Sequence, residues 1–494
     1  MKATVVQRFE KRLPDDDDHP YRTGAWRPQL AEWDATELDV VGDLPSDLEG
    51  VYLRNTENPL FPSIGRYHPF DGDGMLHALY FHGGQADYRN RFVRTRGLAA
   101  EVEAGAPLWA GIIESPESSV RTDGWGARTR LKDASSTDVV VHGGRAVTTH
   151  YQCGDAYRMD PRTLEPQGVE TWGGRFPADV GISAHPKIDP RTGEMLFFNY
   201  GKQAPYMHYG VVSAAGELVH YVPVELPGPR LPHDMAFSEH YAILNDFPSF
   251  WDPKLLQSNI HRPRFYRDMP SRFAVIPRRG AASEVRWFEA SATYVLHWIN
   301  AYEDGDELVL DGFHQSSPVP DHRLGDGKWA AIQRMTTVAM LQARAHRWRF
   351  NLRTGATKEE FLDDRYTEFP MINADYGGRR HRYAYCMIGD PNWFLFRGLV
   401  RYDLLTGTQQ RYEYPEGVYP SESPMAPRTG SSAEDDGYVV TFVTDLPNDC
   451  SECHVFDARD ITRGPIARVR LPERISSGTH AYWASAAELA RTRP

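Results

Sequence analysis

One turn recurs along this chain. It reads Asp160-Pro-Arg-Thr163, Asp189-Pro-Arg-Thr-Gly193, Asn351-Leu-Arg-Thr-Gly355, Asp403-Leu-Leu-Thr-Gly407 and, in degenerate form, Asp457-Ala-Arg-Asp460. An Asp or Asn opens such a turn by bonding its side chain to the backbone ahead, and Gly supplies the positive φ that closes it. Each copy adjoins a short run rich in Val, Tyr, Phe and Thr. Similar runs recur at 138–142, 194–199, 241–245, 307–311, 383–386 and 437–444, bounded by Gly, Pro, Asp or Asn. Helical periodicity is confined to 329–341 and the extreme C-terminus. A hairpin that repeats at irregular spacing predicts an all-β propeller whose blades carry insertions, in a single domain over 1–494. Two stretches break the pattern and are expected to cap it: about 100–131, with Trp109, Ile112, Ile113 and Trp125, and about 247–274, with Phe247, Phe250, Trp251, Phe265 and Tyr266. No Gly/Ser or Pro-rich spacer divides the chain.

Four histidines stand at the ends of such strand-like runs: His185 in Ser-Ala-His-Pro, His233 in Leu-Pro-His-Asp, His297 in Val-Leu-His-Trp and His480 in Gly-Thr-His-Ala. Any one of them alone reads as an ordinary turn residue. A closed, radially repeated fold would bring all four to one axis, and neutral imidazole suits iron(II), zinc, copper or nickel. Around a six-coordinate iron(II), four imidazoles leave two positions open, one for dioxygen and one for substrate or water. Such a centre has no anionic ligand, so carboxylates behind the histidines are expected to balance its charge and fix each ring's tautomer. Glu368 in Thr-Glu-Phe-Pro-Met and Glu422 in Ser-Glu-Ser-Pro-Met share one loop context and are the candidates.

The net charge of −12 argues against a nucleic-acid groove. No segment has the length of apolar residues needed to span a bilayer. The N-terminus carries Lys2, Arg8, Lys11 and Arg12, then Asp15 to Asp18, without the apolar core of a secretory leader. With only Cys153, Cys386, Cys450 and Cys453, a disulfide framework is not expected and a cytoplasmic location is. Nothing in the chain sets an oligomeric state. The Cys450-Ser-Glu-Cys453-His454 match to a haem-attachment pattern is read as a hairpin entering a strand. Asp71-Gly-Asp-Gly lacks the full spacing of a calcium or phosphate loop, and no Gly-x-Ser-x-Gly elbow is present.

These phrases, together with Leu48-Glu-Gly-Val-Tyr-Leu-Arg-Asn55, His68-Pro-Phe-Asp-Gly-Asp-Gly-Met75, Glu368-Phe-Pro-Met-Ile-Asn373, Ala433-Glu-Asp-Asp-Gly-Tyr438 and Leu471-Pro-Glu-Arg-Ile475, run the length of the chain. In them the sequence resembles the carotenoid cleavage oxygenases, including the lignostilbene and phenylpropenoid-cleaving branch. The resemblance implies a seven-bladed β-propeller with a cap of loops and short helices. It implies Fe(II) on the axis, held by His185, His233, His297 and His480, and an alkene cleaved with O2 to two carbonyl products. Two of the family's three outer glutamates match Glu368 and Glu422. The third falls on Gln152, which would leave the centre nearer neutral than in a three-glutamate relative. The resemblance also matches Lys132 to the lysine that holds a phenol in stilbene-cleaving relatives, and Phe61 to an aromatic that lines their site. The tyrosine that partners that lysine has no counterpart in 108–114. A buried lysine with a lowered pKa would polarise or deprotonate a phenol. The expected substrate is a phenolic stilbene or phenylpropenoid. The alternatives are an apocarotenoid, a non-catalytic propeller that binds partners, and a zinc hydrolase. Four histidines would fill the open tetrahedral site that a zinc hydrolase needs.

Overall fold

A computed structural model describes residues 1–123, 130–177, 180–258, 260 and 262–491. Seven antiparallel sheets follow one another along the chain and form the blades of a propeller. The second blade runs from an inner strand Asp138–His142 outward through Arg145–Thr149 and Tyr157–Met159 to Pro166–Val169. The third to sixth blades have the same plan, with inner strands Lys187–Ile188, Ala236–Phe237, Trp298–Asp304 and Thr367–Met371. In the seventh, Val418–Pro420 and Met425–Pro427 lie innermost, both against Gly437–Asp445.

The ring is closed by both ends of the chain. The C-terminal strand Ala481–Ser485 becomes the innermost strand of the first blade, pairing Ala481 with Arg54 through Ser485 with Gly50. Near the other end, the strand Val40–Gly42 becomes the outermost strand of the seventh, against Ala467–Arg470. The innermost strand of each blade keeps a short edge toward the axis, where the closed ring protects it.

Both faces of a blade pack on neighbours, so central strands are apolar throughout rather than alternating. Met195–Tyr200 is buried at all six positions. Between the fourth and fifth blades Phe273, Trp298, Trp348 and Phe350 interlock with ring centroids 4.9–6.0 Å apart. The recurring turns do what their composition predicts. Asp160 Oδ1 accepts the N–H groups of Arg162 and Thr163 at 2.9 and 2.8 Å, and Asn351 Oδ1 those of Arg353 and Thr354 at 3.1 and 2.8 Å. Gly193, Gly355 and Gly407 have φ of 69°, 78° and 71°. Four of the five turns lead from the third strand of a blade to the fourth.

The cap is built from three segments. The first holds the helix Arg96–Ala104 and the parallel bridges Ile64–Ala110 and Ala110–Leu131; Trp125 lies outside the described residues. The second is the hairpin Ser249–Trp251 with Pro263–Phe265. It ends before 271, because Ser271–Pro277 is a blade strand paired with Tyr241–Asp246. The expected boundary at 274 is corrected accordingly. The third carries the helices Ala330–Thr336 and Val338–Leu341 where helical periodicity was expected. No helix among the described residues is long and apolar enough to cross a membrane.

Candidate active site

The axis is built from the entrances of the inner strands. His297 directly precedes Trp298–Asp304 in the fifth blade, and His480 directly precedes Ala481–Ser485 in the first. His233 lies three residues before Ala236–Phe237 in the fourth, and His185 two before Lys187–Ile188 in the third. His185 has φ of 65°, a left-handed conformation that a non-glycine residue adopts only where its surroundings impose it. All four are at most 5% exposed, and one ring nitrogen from each lies within 4.8 Å of the others.

The remaining three blades each supply a carboxylate at the matching place. Glu368 is the second residue of Thr367–Met371 in the sixth blade, and its Oε2 lies 2.7 Å from His297 Nδ1. Glu422 of the seventh lies 3.3 Å from His480 Nδ1 and accepts the Ala481 N–H at 2.6 Å. Asp138 opens the inner strand of the second blade. Its Oδ2 accepts the His185 backbone N–H at 3.0 Å and lies 3.6 Å from His185 Nδ1.

Burial and the neighbouring histidines hold His185 and His297 well below the usual imidazole pKa, and burial brings His233 to about 3. These three are neutral, the form that binds a metal. Burial also opposes a charge on His480, but the Glu422 carboxylate outweighs it and raises the pKa. Burial pushes Asp138 up to about 6 and Glu368 well above the carboxylate range. Among the described residues, Nε2 of His185 and of His297 is buried without a hydrogen-bond partner, while their Nδ1 atoms face carboxylates. Such buried nitrogens are expensive unless something accepts their lone pairs. The four-histidine set fits a metal ion.

Two cavities border the histidines. The larger, about 540 Å³, is lined by His233 and lies under the cap, which contributes Ile112 and Ile113, Trp251, and Val319 and Met335 from its three segments. The smaller, about 210 Å³, is lined by His185, His297, His480, Asp138, Glu422 and the Lys187–Asp234 ion pair. Asp234 also accepts the N–H groups of Met235 and Trp298, so the acidic residue after His233 ties blades together. Glu303, within the strand Trp298–Asp304, accepts the Ser238 hydroxyl at 2.6 Å and lies 2.8 Å from His240 Nδ1.

Three expected residues stand elsewhere than the sequence suggested. Gln152 gives its amide to the Tyr151 hydroxyl at 3.3 Å and lines the larger cavity; it is Tyr151 whose ring lies 5.4 Å from that of His233. The third carboxylate facing a histidine is therefore Asp138. Lys132 is buried, with Nζ 2.9 Å from both Asp73 Oδ1 and Glu101 Oε2, and is not among the residues lining the cavity. The two carboxylates overcome burial and raise its pKa, so it is a cation and not a base. Phe61 packs with Leu60, Met75, Phe92 and Leu98 in a core cluster, and the aromatic lining comes instead from Phe70, Tyr151, Trp251, Tyr294 and Phe394. Phe369 was not anticipated. It stacks on His480 at 4.8 Å and lies 4.7 Å from His297, and its only sequence signal is its place after Glu368.

The sequence family described as retinal pigment epithelial membrane protein matches residues 26–485. The chain belongs to that family, the carotenoid cleavage oxygenases. Among curated relatives, a carotenoid 9,10(9′,10′)-cleavage dioxygenase 1 of Phaseolus vulgaris is 31% identical, over 99% of this chain and 93% of its own. A lignostilbene-alpha,beta-dioxygenase isozyme III of Sphingomonas paucimobilis is 30% identical over 94% and 97%. The crystal structure of Pseudomonas brassicacearum lignostilbene dioxygenase superposes with a TM-score of 0.82 at 27% identity, over 95% of this chain and 99% of that one. This member of the family combines the propeller with four axial histidines and a lysine tied into the cap.

Proposed function

We propose that this chain is a non-haem iron(II) dioxygenase that cleaves a carbon–carbon double bond with O2 to two carbonyl products. The reading rests on four buried histidines that each offer a ring nitrogen within 4.8 Å of the others, with His233 lining an apolar, capped cavity. His185, His233, His297 and His480 would hold the iron. Iron(II) bound there supplies the site at which dioxygen is activated. One oxygen atom ends on each product carbonyl, so the alkene provides all four electrons and no external reductant enters.

The chain's own residues do the rest. Glu368 holds His297 through Nδ1, which fixes its tautomer and aims Nε2 at the axis. The cap covers the cavity with Ile112, Ile113, Trp251, Val319 and Met335. Its aromatic walls suit a conjugated alkene, and about 540 Å³ suits a ligand of drug size. Two buried amides, Gln152 and Gln315, each leave a polar atom without a protein partner among the described residues, Oε1 of the one and Nε2 of the other. A hydroxyl on the substrate answers both kinds of atom. A phenolic stilbene or phenylpropenoid fits these features, its ring hydroxyl met by amides and not by Lys132. An apocarotenoid is the second reading, favoured by the ion pairs that deny Lys132 to a phenol. Cys153, Cys386, Cys450 and Cys453 are all buried, which suits a reducing, cytoplasmic setting.

The test is aerobic incubation of Fe(II)-loaded protein with a para-hydroxystilbene, a propenyl phenol and an apocarotenal, with iron content measured and products read by mass. Bound iron and aldehydes from a phenolic alkene are expected, with iron lost in His297→Ala. Cleavage of the apocarotenal alone would move the substrate to the second reading. No cleavage by iron-loaded protein, or full iron retention by His297→Ala, would refute the assignment.

A further inference from the structure

We infer that Asp138 is the third outer carboxylate of the metal centre, acting as a positioning residue through His185. The inference rests on the four-histidine metal reading. Seven blades present seven side chains at the entrances of their inner strands: four histidines, Glu368, Glu422 and Asp138. The second blade is the one left once the others are assigned, and its contribution is this aspartate.

Its contacts are specific. Oδ1 accepts the Val139 N–H at 2.7 Å, which seats the carboxylate. Oδ2 accepts the His185 N–H at 3.0 Å and places a negative charge 3.6 Å from His185 Nδ1. The backbone bond pins His185 at its left-handed φ of 65°, so ring direction and charge are set by one group. Asp138 also lines the smaller axial cavity with His185, His297, His480 and Glu422. Three carboxylates then surround the centre, although position 152 is a glutamine. The charge missing there is supplied from another strand of the same blade. Ligand-orienting groups of this kind are worth about 10- to 100-fold in metal affinity.

Co(II), titrated into metal-free protein, is the probe. Asp138→Asn should weaken Co(II) binding about 10- to 100-fold, a loss comparable to that in Glu422→Gln, while the melting temperature of the metal-free protein stays near wild type. Asp138→Glu should recover part of the affinity, since it restores the charge. Should Asp138→Asn fail to fold, Asp138→Ser keeps an oxygen for the His185 N–H and removes the charge, and the same loss is expected. Affinity in Asp138→Asn or Asp138→Ser within twofold of wild type would overturn the inference. So would a large loss in Gln152→Ala with none in Asp138→Asn, which returns the third position to 152. A wild-type protein that binds no Co(II) or Fe(II) would overturn the four-histidine reading itself.

Discussion

Replacing Lys132 with methionine separates a clamp from a substrate ligand. Lys132 Nζ sits 2.9 Å from Asp73 and from Glu101, whose side chains are 1% and 0% exposed. Glu101 lies on the cap helix Arg96–Ala104 and also accepts the Leu108 N–H, while Asp73 accepts the Leu60 N–H beside the first blade. The lysine therefore joins cap to propeller through one buried cation between two buried anions. Lys132→Met keeps the volume and leaves the carboxylates facing each other uncompensated. Removing one partner of a buried pair costs about 3–5 kcal/mol. At ~2.1 cal/mol/K of unfolding entropy per residue, a chain of 494 residues has about 1 kcal/mol/K, so the melting temperature should fall by about 3–5 °C. Scanning calorimetry measures that, and steady-state rates with para-hydroxystilbene and unsubstituted stilbene complete the assay. Both rates should fall together as the cap loosens. Neutralising all three positions, with Asp73→Asn and Glu101→Gln added, should restore most of the stability, because no charge is then left unpaired. An unchanged melting temperature with a loss confined to the hydroxylated alkene would show that Lys132 faces substrate.

Gln315→Met should reduce the preference for a hydroxylated over a matched deoxy alkene from about 10- to 100-fold to a few-fold in kcat/KM, since an apolar ligand leaves the buried amide of Gln315 unpaired; an unaltered ratio would remove that residue from recognition. His480 carries a pKa raised above the 6.5 of an ordinary imidazole because Glu422 outweighs its burial. Metal must displace that proton, so Co(II) affinity should fall as pH drops through the raised pKa and level off above it; a flat profile from about pH 6 to 9 would contradict the proton–metal competition.

The fold was legible because its signals are local. A turn that begins with Asp160 or Asn351 and ends in glycine bonds its own backbone, so the pattern survives whatever surrounds it. The helix at 330–341 carries its periodicity on its own residues, and it appears as two short helices meeting at Thr337. Blade boundaries are less legible where a strand and an insertion share composition. Phe265 and Phe273 look alike in sequence, yet one lies in the cap hairpin and the other is a fully buried blade residue.

The site was legible to the depth at which chemistry dictates residue type. A metal centre without anionic ligands demands histidine, and Glu368 sits against His297 because a ligand ring needs an acceptor behind it. Beyond that, any acid or amide near the axis competes for the role, and sequence order does not say which strand entrance faces which ring. Gln152 and Asp138 are fourteen positions apart in one blade. Only the register of Asp138 with Thr149, at the far end of the hairpin from its turn, puts the aspartate at the axial end of its strand. The setting of Lys132 was hidden from the sequence for a related reason. Its own neighbours match a phenol-binding lysine, but its electrostatics are decided by Asp73, 59 positions earlier, and by Glu101 on a separate helix. A cation between two carboxylates has no charge left to offer a substrate. The partner residues and not the lysine itself therefore carry the information about substrate.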